Sequence, residues 1–264
     1  MAILTISRQI GSVDKEITQA MAKVWNYEYV DREKILEDMR TQGPQWEEFG
    51  KDFDERRPSL WERYDRSYTG FVVLSQSVIL NYALKNNVVI VGRGGNFLLR
   101  ETPYALSVRI VAPLALRVEA IAKREGLSQG AAELLVKKVD KEMAGAVRLI
   151  YGKEIDDQSN YDLVFDLGVL PAQEAFGAIK AALNQKDGLK TPEAEKELTM
   201  KALAKKVRAG ITTKFFIPVF DVIPGKDRLL VTGIVHSSEE HRKIEEEAKR
   251  LAGGVVVECS LHYR

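Results

Sequence analysis

Short apolar runs alternate with longer amphipathic stretches through the first two thirds of the chain. The runs are AILTI, YEYV, VVIVG, LSVRIVA and YDLVFD, dominated by Val, Ile and Leu. Such runs suit parallel strands buried on both faces. Helical spacing of apolar positions fills the gaps, over Glu16–Trp25, Arg32–Arg40, Thr69–Leu84, Leu114–Glu125 and Ala131–Leu149. Strand–helix alternation of this kind predicts a doubly wound α/β sheet. The stretch Gly43–Arg66 is rich in charged and aromatic residues and breaks the pattern. It reads as an insertion over the site.

The segment Asn184–Glu197 loses apolar periodicity and carries Gly188 and Pro192, which marks a linker. Beyond it the order changes. Thr199–Thr212 reads as a helix, and Phe215–Ile223 and Arg228–Val235 as strands around a Pro224–Gly225 turn. Ser237–Leu251 reads as a helix opened by a Ser237-x-x-Glu240 capping box. Strict alternation from Val255 to Tyr263 predicts a half-buried strand. The expectation is a large α/β domain over residues 1–185, a linker over 186–197, and a small α+β domain of order αββαβ over 198–264.

Composition narrows the chemistry. The 264 residues include 39 Lys+Arg against 38 Asp+Glu, so nothing in the net charge argues for nucleic acid as a partner. Cys259 is the one cysteine, which excludes an internal disulfide framework and a Cys-rich zinc site. His236, His241 and His262 all lie near the C-terminus. Chemistry upstream of them must use carboxylates, Lys, Arg, backbone amides or an oxygen-bound metal. The start, MAILTISRQIGS, has no basic n-region, and the longest apolar stretch, FVVLSQSVILNYAL, is interrupted by Ser75, Gln76, Ser77 and Asn81. No transmembrane segment is expected, and the reading is a soluble, cytoplasmic protein.

The first strand runs into Ser7-Arg8-Gln9-Ile10-Gly11-Ser12-Val13-Asp14-Lys15-Glu16 and then a helix. A strand, a tight loop and a helix start form a setting for phosphate, because unpaired amides point at the anion. Against the P-loop pattern G-x-x-x-x-G-K-[ST], with Lys15 at the lysine, Gln9 and Asp14 replace the glycines and Glu16 replaces the hydroxyl. The loop alone therefore also suits a plain β–α turn.

The segments ISRQ-x-GS, KEI and YVDRE together resemble the opening of the cytidylate-kinase-like proteins, a branch of the P-loop nucleoside monophosphate kinases. The resemblance continues in order through Ile90-Val91-Gly92-Arg93-Gly94-Gly95, Ala112-Pro113-Leu114, Arg117-Val118, Arg124–Ser128, Val139-Asp140-Lys141, Tyr151-Gly152-Lys153 and Asn160–Val164. It implies the three-layer doubly wound parallel sheet of a P-loop kinase. It implies transfer of the γ-phosphoryl group of ATP, with Mg2+, to a nucleoside monophosphate such as CMP.

By the same resemblance, Gly11, Ser12 and Lys15 would cradle the donor phosphates. Asp31 and Arg32 would stand on the acceptor side, where Asp31 also suits a helix N-cap. Gly92, Arg93 and Gly94 would hold the monophosphate, with the guanidinium gripping it. Lys141 and Arg148 would be the lid cations, in a lid that also carries Arg117, Arg124, Lys137 and Lys138, with Asp140 orienting one of them. Four departures stand out: Val13 and Asp14 where the family loop has glycines, Met143 where it often has a lid arginine, and Leu167-Gly168 after the last core strand. They point to weakened phosphotransfer as the alternative, with the chain sensing nucleotide or acting as a scaffold.

Residues 198–264, with Leu229–Val235, Gly233 and Gly253–Val257, resemble the BON domain. That implies a protein or phospholipid partner rather than catalysis, and leaves homo-oligomerisation open.

Overall fold

The structure is a computed structural model describing residues 2–43, 45–46, 66–215, 217 and 219–264. Residues 44 and 47–65, most of the insertion expected over the site, lie outside the described residues. Among those described, the chain order begins β1 (Ile3–Arg8), α1 (Lys15–Val24), β2 (Glu28–Val30), α2 (Arg32–Arg40), α3 (Arg66–Leu84), β3 (Val88–Val91) and α4 (Gly95–Leu98). It continues through β4 (Ala105–Val111), α5 (Leu114–Glu125), α6 (Gln129–Tyr151), β5 (Leu163–Asp166) and α7 (Ala172–Asp187). The remaining elements are α8 (Pro192–Lys214), β6 (Phe220–Pro224), β7 (Arg228–Val235), α9 (Ser238–Ala252) and β8 (Val256–Tyr263).

The first five strands form one parallel sheet in the order β2-β3-β1-β4-β5. Alternation in the central strands separates two faces. Leu4, Ile6, Val89, Val91, Leu106, Val108 and Ile110 pack against Met21 and Ala22 of α1 and Ile179 and Leu183 of α7. The alternate positions of β1 and β4 carry Thr5, Ser7, Ser107 and Arg109. The second face of AILTI and LSVRIVA is thus mixed: Ile3, Ala105 and Val111 share it with these polar groups.

Helix boundaries follow local chemistry. The Ser128 hydroxyl accepts the Ala131 amide and starts α6, and Gly126 in the left-handed region ends α5. The stretch expected to be a linker is helical at both ends, leaving Gly188–Thr191 between α7 and α8. Thr191 caps α8 with Pro192 in its first turn. Packing divides the chain into two compact units. Of the described residues, one holds 2–35 and 85–190, and the other 36–43, 45–46, 66–84 and those of 191–264. Helix α3, placed by its sequence within the large domain, belongs to the second unit, where it lies along α8.

The C-terminal part of the second unit, from α8 onward, has the helix–strand–strand–helix–strand order expected from its sequence. Its sheet runs β6-β7-β8, with β6 antiparallel and β8 parallel to β7. The core gathers Val207 and Ile211 of α8, Val222, Leu229 and Val231 of the sheet, and Ile244 and Ala248 of α9. The first strand starts later than expected, at Phe220, because α8 continues to Lys214. The capping box forms: Ser237 Oγ accepts the Glu240 amide at 3.1 Å, and Glu240 Oε2 accepts the His236 amide at 2.7 Å. Cys259 packs against this core, and burial raises its thiol pKa.

Candidate phosphotransfer site

The loop Gln9–Asp14 joins the carboxyl end of β1 to α1. Gly11 takes φ of 76°, and a Cβ there would lie 2.7 Å from the Arg117 carbonyl oxygen, so only glycine fits. The loop is therefore backed by α5. Ser12 is buried, and its hydroxyl donates to the Gln9 carbonyl at 2.8 Å. Val13 is absent from the left-handed residues and packs on the core of the sheet. Asp14 is exposed and makes no side-chain cap, so the first-turn amides of α1 keep no side-chain acceptor.

Lys15 opens α1, and its amine reaches across to the carboxyl end of β2. It pairs with Asp31 Oδ2 at 2.8 Å and with the Glu33 carboxylate. Burial works against the charged amine, but the two carboxylates outweigh it and raise the Lys15 pKa. Asp31 is buried, and burial alone would raise its carboxyl. Hydrogen bonds from Lys15 and from the Lys34 amide, the latter at 3.2 Å, lower it instead. Asp31 therefore caps α2 with one oxygen and meets Lys15 with the other. Arg32 opens α2 beside it.

After β3 the chain makes a left-handed turn. Gly92, Arg93 and Gly94 have φ of 80°, 57° and 70°. A non-glycine residue there carries strain of about 1–3 kcal/mol. The Gly92 amide donates to the Ile6 carbonyl at 2.8 Å, fixing the turn to the end of β1. Tyr151, the last residue of α6, holds it from the other side. Its hydroxyl donates to the Arg93 carbonyl at 2.9 Å, and its ring stacks on Phe97 with centroids 5.0 Å apart. A Cβ on Gly94 would lie 2.2 Å from the Tyr151 ring.

The expected lid cations separate into different roles. Arg117 is buried, pairs with Asp140 at 2.8 Å and donates to the Ala112 carbonyl at 3.0 Å. It ties α5 to α6 and to the loop instead of facing solvent. Lys141 is exposed on α6. Arg148 is exposed and makes two hydrogen bonds to Glu154, at 2.7 and 2.6 Å. Met143, expected to extend an apolar stripe, lines a cleft instead, with Arg8, Gln9, Arg109, Asp140, Ile155 and Asp156.

The sequence did not single out the two cations of that cleft, Arg8 and Arg109. Arg8 ends β1, close to Gly92. Arg109 lies in β4, 4% exposed, and donates to Ser7 Oγ at 2.8 Å and Asp156 Oδ1 at 2.9 Å. The signal was a lone charge inside an apolar run, LSVRIVA. Among the described residues no group of three or more His, Cys, Asp or Glu side chains could hold a metal ion. His236 lies beside Glu240 and His241 beside Tyr263, outside this site. No helix among the described residues is long and apolar enough to cross a membrane.

A parallel sheet with a phosphate-type loop and cations at its carboxyl ends defines an α/β nucleotide-binding class of protein. Residues 3–168 match the model of the cytidylate kinase-like family, and the chain belongs to that family. It is therefore a nucleotide kinase-like protein with the P-loop kinase fold and an additional small mixed-sheet domain. Similar proteins include the cytidylate kinase of Pyrococcus abyssi, 29% identical over 185 residues, which span 69% of this chain and 93% of that one. The cytidylate kinase of Pyrococcus horikoshii is 28% identical over 198 residues, spanning 74% of this chain and 95% of its own. The crystal structure of an uncharacterised protein from Eubacterium ventriosum superposes with a TM-score of 0.55 at 19% identity. That match covers 70% of this chain and 99% of the other.

Proposed function

We propose that the chain transfers the γ-phosphoryl group of ATP to a nucleoside monophosphate, with CMP the first acceptor to test. The observation that carries this reading is the contact between Lys15, at the donor loop, and Asp31, at the carboxyl end of β2. One lysine thereby links the two halves of the expected reaction across 2.8 Å. Arg93 supports it from β3, held in a strained turn beside β1. Phosphoryl transfer needs positioning and charge neutralisation more than covalent chemistry, so lysine, arginine and amides suffice.

Asp31 gives one oxygen to the Lys34 amide and the other to Lys15, and Glu33 also meets Lys15, so magnesium would be held chiefly by the nucleotide phosphates and water. When bound it would neutralise charge on the transferring group. In this reading Gly11, Ser12 and Lys15 bind the donor, and Gly92, Arg93 and Gly94 with Asp31 and Arg32 bind the acceptor. Lys141 and Arg148 supply charge from α6. Asp14 is exposed and leaves the first-turn amides of α1 uncapped, and Val13 packs inward, which supports an active enzyme over a nucleotide-sensing scaffold.

The test is steady-state ADP formation from ATP and CMP with magnesium. Lys15→Ala is expected to cut kcat/KM about 100-fold or more, as loss of one transition-state donor does. Arg93→Ala is expected to raise the KM for CMP roughly tenfold or more through the lost charge-assisted contact, leaving the KM for ATP unchanged. Turnover unchanged in both variants would reject the assignment.

For residues 198–264 we propose a BON-like domain engaging a protein or phospholipid partner. The αββαβ order supports this, and binding of the full chain to anionic vesicles against buffer alone would separate the two partners.

A further inference from the structure

Arg109 is a strongly buried charge whose only carboxylate partner among the described residues is largely exposed. Its guanidinium sits on the polar face of the sheet, next to the Tyr161 ring, with Nη1 on Ser7 and Nη2 on Asp156. Asp156 is 75% exposed. Nε is buried and meets no hydrogen-bond partner among the described residues. Burying a cation with one solvent-facing partner and one idle donor is costly, and such groups call for a ligand to complete them.

Its position says what the ligand is. The connections from β1 and β4 leave the sheet in opposite directions: β1 leads through α1 to β2, and β4 through α5 and α6 to β5. The gap between those two strands is the topological switch point, and ligands of open α/β sheets bind outside the carboxyl ends there. Arg109 lines both spaces at that gap. One is the narrow cleft shared with Arg8, Gln9 and Met143, and the other a cavity of about 280 Å³ flanked by Gln9, Pro113 and Asp166. Gln9 fixes the wall between them, accepting the Ala112 amide on Oε1 at 3.2 Å.

We propose that Arg109 is a nucleotide-binding residue that takes a phosphoryl oxyanion of the donor, and that Asp156 occupies its guanidinium until that oxyanion arrives. The inference rests on the phosphotransfer reading above and adds to it a residue on the opposite side of the loop from Lys15. Asp156 is then a competitor for the site. Removing its charge frees a preformed donor, whereas removing Arg109 takes away the anion contact itself.

The experiment is titration of the full-length protein with magnesium–ATP by calorimetry. Asp156→Asn is expected to tighten binding about three- to fivefold, the weight of an exposed ion pair that no longer has to be broken. Because Asp156 is exposed, this variant is expected to keep the parent fold. Arg109→Gln is expected to weaken binding about tenfold or more, with Arg109→Lys recovering part of the loss as a single point charge. Parent-like affinity in Asp156→Asn, or weaker affinity in that variant, overturns the inference even when Arg109→Gln fails to fold. If binding stays sensitive to Lys15→Ala but indifferent to both Asp156→Asn and Arg109→Gln, only this inference falls. If the parent protein itself binds no magnesium–ATP, the phosphotransfer reading falls with it.

Discussion

Arg93 and Gly94 sit next to each other in the same left-handed turn, yet they make opposite demands on substitution. Arg93 holds φ of 57° at a cost a glycine would not bear, on the order of 1–2 kcal/mol. Arg93→Gly should therefore raise the denaturant midpoint, or hold it, while lowering phosphotransfer. Gly94→Ala should lower the midpoint, since the new Cβ meets both the positive φ and the Tyr151 ring. A cost of about 1–3 kcal/mol is expected. If Arg93→Gly left turnover intact, the strain would have no part in the chemistry. At this scale the sequence was informative where motifs were contiguous. Gly92-Arg93-Gly94 announced a special turn, and Lys15 and Asp31 stood in recognisable blocks. The contact between Lys15 and Asp31 could not be read, because it depends on β2 and β3 lying on the same side of β1. The burial of Arg117 escaped for a similar reason. A cation at a helix start looks solvated until the neighbouring helix supplies Asp140.

At the scale of elements, the periodic pattern located strands and helices well, and it failed where two patterns overlapped. The stretch after Asn184 looked polar throughout because α8 offers apolar residues to two neighbours and shows no single stripe. Strand β4 looked wholly apolar because Ser107 and Arg109 are two polar positions among many. Helix α9 shows what its surface charges contribute. Glu247 is buried and pairs with Arg250 at 2.7 Å and Lys214 at 3.2 Å. Hydrogen bonds from Arg250 oppose burial and, with Lys214, lower the Glu247 pKa from 4.5 to about 2. A depressed folded-state carboxyl stabilises the protein above the unfolded value, and that contribution disappears as pH falls through the folded value. Thermal melting of the parent should lose stability between about pH 5 and pH 2 more steeply than that of Glu247→Gln, which lacks the titrating group. Parallel pH profiles would show that the Glu247 network does not hold α8 and α9 together.

Across the whole molecule, near-zero net charge conceals a pattern of local neutralisation. Lys15 meets Asp31 and Glu33, Arg109 meets Asp156, Arg117 meets Asp140 and Arg148 meets Glu154. Most cations expected to serve phosphate are thus held by carboxylates in the free chain, and a nucleotide must displace some of them. Composition could not reveal this, since it counts charges without pairing them. The four departures from the family pattern take on different meanings in the structure. Val13 packs, Asp14 stays in solvent, Met143 faces the cleft, and Gly168 lies where a Cβ would approach Pro113 to 2.4 Å. Group transfer itself is therefore what separates an active kinase from a nucleotide-binding scaffold. The direct measurement is incubation of the parent protein with γ-labelled ATP, magnesium and CMP, followed by separation of the nucleotides. The expected result is label in CDP, lost in Lys15→Ala. Label remaining in ATP, or released only as inorganic phosphate at a rate indifferent to CMP, would contradict it.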